Sequence, residues 1–215
     1  MPQSSPVVHV VEDDDSLRTA VGRLLMGAGF EVRLYASVGD FVLAHREDVP
    51  GCIVLDVHLP GPSGLDLQAA FAGRSGLPPI IFITAFPEVA ETVRAMKGGA
   101  ADFLVKPVEP DVLLDAVRAA VQRDAAARAI ASHTELLRAL YGTLSQRERE
   151  VFDRLVAGKL NKQIAAELGA AERTVKAHRA KVLEKMRVAS IAELARAASE
   201  LGVVPPIPVR ERSRP

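Results

Sequence analysis

Five short apolar runs, each followed by a stretch with helical spacing, constrain this chain more than any other feature. "VVHVV" (7–11), "EVRLY" (31–35), "CIVLD" (52–56), "PIIFIT" (79–84) and "ADFLV" (101–105) are rich in β-branched residues and are predicted to be strands. Between the first two, Leu17, Ala20, Val21, Leu24, Leu25 and Ala28 recur every three or four residues, the period of one helix face. Strands alternating with helices need crossover connections, and so predict a parallel sheet covered on both faces. Such a sheet gathers its functional groups outside the carboxyl ends of its strands.

Those ends carry unusual chemistry. Glu12, Asp13, Asp14 and Asp15 follow the first strand, Asp56 ends the third, Thr84 ends the fourth, and Lys106-Pro107 follows the fifth. Asp14 or Asp15 also has a plain structural use as the cap of the first helix. Carboxylates brought together repel one another, so the cluster calls for a cation, and oxygen ligands with open positions suit Mg²⁺. An aspartate can attack phosphorus to form an aspartyl-phosphate, while a Lys and a hydroxyl balance and bind the transferring group. Asp56, held rigidly at a strand end, fits the nucleophile's part.

With these residues in order, the segment 7–123 resembles the receiver domain of two-component response regulators: Glu12-Asp13, "LDVHLPGPSG", "ITA" and "FLVKP" occur in register. The resemblance implies a flavodoxin-like, doubly wound five-stranded fold with Asp56 as phosphoacceptor and a sensor histidine kinase as donor. It implies Mg²⁺ held directly by Asp13 and Asp56, by Glu12 through water, and by the backbone carbonyl of His58. Thr84 and Lys106 would engage the phosphoryl group, Phe103 would be the aromatic switch, and Lys106-Pro107 would be cis. Glu12 is longer than the Asp more usual there. The His58 side chain, two residues past the acceptor, reads most simply as a solvated loop histidine, although that position can influence water access. Phe86 stands at a similar gate beyond Thr84. Together they predict slow self-dephosphorylation, which a phosphoryl half-life of seconds would contradict.

The net charge of zero hides two halves of opposite sign. Residues 1–124 hold 10 Lys/Arg and 17 Asp/Glu, and residues 125–215 hold 17 and 10, for nets of −7 and +7. A basic half suggests a polyanionic partner. Its first stretch, 124–142, is Ala-rich and predicts a helical linker continuing the last helix of the first half. Ser145 and Glu148 form a capping-box pattern that opens the next helix, and Gly158 can end it. "NKQIAAEL" and "ERTVKAHRAKVLEKM", joined at Gly169, predict a helix-turn-helix. At 100° steps, Val175, Val182 and Met186 share an apolar stripe with Leu183 beside it. Arg173, Thr174, Ala177, Ala180 and Lys181 point away, with Lys176 on the flank, a front that suits a major groove.

Residues 144–188, and on through a helix over 190–200, are similar to LuxR-type DNA-binding domains; joined to a receiver, this is the FixJ/NarL class of response regulator. The resemblance puts Lys176, Ala177 and Ala180 toward bases, with Lys162, Thr174, Arg179 and Lys181 on phosphates or mixed contacts. Arg179, nearer the apolar stripe, suits a flanking phosphate. Ala171 stands where Ser or Thr often caps the helix, and Ala170 replaces a larger apolar residue. The implied partners are double-stranded DNA, RNA polymerase and a second copy of the chain on activation, paired half-sites lying about one turn apart. The expected domains are a receiver (1–123), the linker, a DNA-binding domain (143–201) and a disordered Pro/Arg-rich tail (202–215).

Composition excludes little else. The lone Cys52 allows no internal disulfide and reads as a small buried hydrophobe in a reducing compartment. No apolar stretch approaches the ~20 residues of a membrane span, and the start lacks signal-peptide features, so a cytoplasmic, membrane-free regulator is expected rather than an enzyme. Two rivals stay open. A phosphatase of the haloacid dehalogenase type would need a second Asp where His58 stands. A regulator indifferent to phosphate, answering to protein partners alone, would leave Asp56 unphosphorylated.

Overall fold

The computed structural model describes residues 6–44, 49–72 and 78–203. The chain divides into two compact units, Met1–Ala129 and Ile130–Pro215.

In the first unit, β1 (Val7–Val11), β2 (Glu31–Tyr35), β3 (Gly51–Asp56), β4 (Ile80–Thr84) and β5 (Asp102–Val105) form one sheet in the order β2-β1-β3-β4-β5. Every pairing is parallel. Helices α1 (Asp15–Gly27), α2 (Val38–Ala44), α3 (Gly64–Ala70), α4 (Val89–Lys97) and α5 (Pro110–Gly142) alternate with the strands. The apolar runs explain themselves once both sheet faces are counted. Ile53 and Leu55 of β3 pack with Phe41, Leu65 and Phe82 on one side, while Cys52 and Val54 pack with Leu25, Ile81 and Val117 on the other. Cys52 is fully buried, and burial pushes its thiol up to about 12. Asp14 caps α1, its side chain accepting from the Leu17 amide. The strand order reverses between β1 and β3, which opens a crevice at their carboxyl ends. Gly64 closes that end tightly, because a Cβ there would lie 2.4 Å from the Asp56 carbonyl oxygen.

The second unit is helical: α6 (Gln146–Val156), α7 (Asn161–Glu167), α8 (Glu172–Lys185) and α9 (Ile191–Glu200). Phe152, Leu155, Ile164, Val175, Val182, Met186 and Leu194 fill its core. The Ser145–Glu148 capping box forms in full, and Gly158 and Gly169 take positive φ at +78° and +60°. Ala171 makes no side-chain cap at the start of α8.

The stretch 124–142 corrects the expectation of a plain linker. All of it is helix within α5, but both ends are committed to packing. Asp124 is buried and accepts from the Gly51 amide at 2.9 Å and from Arg128 Nε at 2.7 Å. Leu137 is buried in the second unit's core, and the Tyr141 ring meets Phe152 edge-on at 5.1 Å. Alanine-rich composition marks helix propensity without marking which face is buried. The tail from 204 onward lies outside the described residues. No described helix is long and apolar enough to cross a membrane.

Candidate functional site

The carboxyl edge of the sheet brings together residues far apart in the chain. Glu12 follows β1, is 1 % exposed, and accepts from Lys106 Nζ at 2.7 Å. The same ammonium reaches Asp56 Oδ2 at 2.5 Å, and Asp56 is 6 % exposed at the end of β3. Lys106 is aimed there by the bond from its amide to the Thr84 carbonyl at 2.8 Å and by the cis Lys106-Pro107 peptide. Burial raises the Glu12 pKa against the pull of the Lys106 bond. Burial presses the Lys106 pKa down, but its bonds to Asp56 and Glu12 outweigh this and leave it raised.

Asp13 is exposed and completes a set of three carboxylates whose oxygens lie within 4.8 Å of one another. Hard oxygen donors in this number, with one side open to solvent, fit a divalent cation that keeps part of its water shell. Asp14 and Asp15 stay outside the set: one caps α1 and the other pairs with Arg18. Arg18 itself was missed in the sequence. Its Nη1 donates to the carbonyls of Glu12 (2.7 Å) and Asp13 (3.2 Å), which fixes the acidic turn. A cation in the first turn of a helix opposes the dipole, and that was the available signal for a specific partner.

Thr84 is wholly buried, yet its hydroxyl bonds neither Asp56 nor Lys106. It accepts from the Phe86 amide at 3.2 Å and meets His58 Nδ1 at 3.3 Å. The reading of His58 as a solvated loop residue is therefore corrected. Its side chain is half exposed but tethered, with Nε2 3.4 Å from Glu91 Oε1, while its amide donates to Asp56 Oδ1 at 2.9 Å. Phe86 is also corrected: its ring is 77 % exposed and covers nothing at the acceptor. Phe103 is half-buried, with its ring 6.2 Å from that of Phe82.

In the second unit α8 separates its faces as its spacing predicts. Val175, Val182 and Met186 are buried, and Leu183 packs beside them. Arg173, Thr174, Lys176, Ala177, Ala180 and Lys181 are exposed, as is Lys162 at the start of α7; Arg179 is half-buried. Lys176 lies 3.6 Å from Glu172 Oε1, an exposed pair that polyanion binding can exchange at little cost. The face is held by a tie invisible in the motif: Lys185 Nζ donates to Glu148 Oε2 at 2.6 Å. That bond and the Ser145 amide lower the Glu148 pKa to about 2.

Comparison with known proteins agrees with both sites. Residues 8–118 match the response regulator receiver domain, and residues 142–198 match the bacterial regulatory proteins of the luxR family. Nodulation protein W of Bradyrhizobium diazoefficiens is 47 % identical over 92 % of this chain and 87 % of its own length. The transcriptional regulatory protein FixJ of Azorhizobium caulinodans is 43 % identical, over 95 % of this chain and 97 % of its own. The solved structure of response regulator StyR superposes with a TM-score of 0.85 at 42 % identity, covering 92 % of this chain and all of that one. The chain belongs to the response-regulator family, with a receiver domain followed by a LuxR-type DNA-binding domain. It is a phosphorylation-dependent, DNA-binding transcription regulator, and its receiver implies a histidine kinase as partner.

Proposed function

We propose that Asp56 is the phosphoacceptor and that Glu12, Asp13, Asp56 and the His58 carbonyl hold Mg²⁺ beside it. The observation that carries this reading is the buried Asp56 carboxylate bound to Lys106 inside the three-carboxylate cluster. Asp56 attacks the phosphorus of the kinase's phosphohistidine, and the leaving imidazole takes a proton. Bound Mg²⁺ supplies charge neutralisation for the phosphoryl oxygens. Lys106 stays near Asp56 and pairs with a phosphoryl oxygen, and Thr84 turns its hydroxyl to another. Phe103 follows the space Thr84 vacates.

The output we infer is a dimer that binds DNA. Val89, Val93 and Met96 lie at helical spacing on α4 and are exposed, with Val105 exposed on edge strand β5. A second copy of the chain offers the same apolar strip and would cover it. In the DNA-binding domain, Lys176, Ala177 and Ala180 face bases. Arg173, Thr174, Lys162, Arg179 and Lys181 contact the backbone or mixed positions, and RNA polymerase is the downstream partner in the bacterial cytoplasm. The test compares wild type with Asp56→Asn for binding to a genomic fragment library at fixed salt, with and without Mg²⁺ and a small-molecule phosphodonor. Donor-dependent tightening confined to wild type, with phosphate on Asp56 by mass spectrometry, is the expected result. Equal binding in both proteins would favour control by protein partners.

A further inference from the structure

The hydroxyl that must meet a phosphoryl group on Asp56 is held elsewhere. Thr84 Oγ1 is shared between the Phe86 amide and His58 Nδ1, and His58 Nε2 lies against Glu91 Oε1 of α4. A carboxylate at Nε2 favours the tautomer with its proton on that nitrogen, which leaves Nδ1 to accept the Thr84 hydroxyl proton. The second Glu91 oxygen, Oε2, is buried with no hydrogen-bond partner among the described residues, so His58 is the group that answers this carboxylate. Three side chains from β4, the loop after β3, and α4 thus form one chain of contacts ending on the switch hydroxyl.

We propose that Glu91 is a positioning residue of the switch: acting through His58, it holds the Thr84 hydroxyl away from Asp56, so a phosphoryl group must displace this chain before Thr84 can turn inward. The proposal rests on Asp56 being the phosphoacceptor. It also explains how the acceptor speaks to α4, because releasing Thr84 frees the His58–Glu91 contact on the helix that carries the apolar strip. Such a catch sets the balance between two states by its differential contact with each.

Glu91→Gln keeps the side-chain volume and weakens the contact, since a neutral acceptor binds less strongly than a carboxylate. In the full-length protein with Mg²⁺ and phosphoramidate, phosphate gain at Asp56 by intact mass spectrometry should quicken about three- to ten-fold, the span of one hydrogen bond's net contribution. The Thr84 methyl ¹³C shift of the unphosphorylated variant should move toward its phosphorylated position. In a His58→Asn background the same substitution should add nothing, because the two act as one unit. Glu91→Asp should fall between, and it carries the test if the Gln variant fails to fold. An unchanged rate and shift, or an equal effect with and without His58, overturns the proposal alone. Absence of phosphate on wild-type Asp56 overturns both the acceptor reading and the proposal.

Discussion

The two units build their sites from opposite materials. In the receiver, Lys106 meets Glu12 and Asp56 across sequence separations of 94 and 50 residues, in a buried crevice whose parts come from different strand ends. In the helical unit, Arg173 through Lys181 occupy one exposed helix face, and the only long-range requirement is a core that holds α8 in place. A buried convergent site works as a unit, because each charge is answered by another and removal of one strands its partners. An exposed linear face works residue by residue, screened by water and salt. The first design suits a switch; the second suits graded recognition.

That contrast can be broken most forcefully at the core of the helical unit. Phe152→Ala should cost about 3–5 kcal/mol of that unit's stability through a cavity no neighbour can fill. Scanning calorimetry should show its transition falling while the receiver's stays; a joint shift would mean the two do not unfold separately. Next in size is pH. The Glu148 carboxylate has its folded pKa lowered to about 2 from 4.5, so its contribution is present above about pH 4.5 and fades as pH falls toward 2. Glu148→Gln should remove roughly 1.5–3 kcal/mol near pH 7, the scale of hydrogen bonds to charged groups, and flatten the acid limb of urea melts.

Additivity sharpens the comparison further. Lys106→Met and Glu12→Gln, measured by urea titration without Mg²⁺, should couple by about 0.5–3 kcal/mol, because the first substitution leaves carboxylates facing each other. Lys176→Ala and Lys181→Ala should instead weaken DNA binding independently, each phosphate contact lowering the salt slope by roughly one. Smallest is the missing cap. Ala171→Ser should stabilise α8 by ~1 kcal/mol, read as a rise in the helical unit's melting temperature.

What was legible from sequence follows the same division. The strand-end residues Glu12, Asp56, Thr84 and Lys106 could be found because alternating strands and helices leave one edge for function, and the edge is where chemistry-bearing residues broke the apolar runs. The α8 face could be found because a helix repeats every 3.6 residues. Contacts between elements with no shared period were not legible. Nothing in the spacing of His58 and Glu91 says they touch, and Asp124 sits in an alanine-rich stretch whose buried face only the sheet beside it defines. Phe86 misled for a related reason: an apolar residue at a gate position need not point inward.

The burial of Cys52 has a practical consequence. A thiolate formed only near pH 12, inside a packed β3 interface, stays silent toward maleimides and other thiol reagents at neutral pH. A single cysteine introduced on α4 or α8 would then take a fluorophore or spin label alone, without first mutating the native one. Distance and mobility measurements could follow both units in an otherwise unaltered chain.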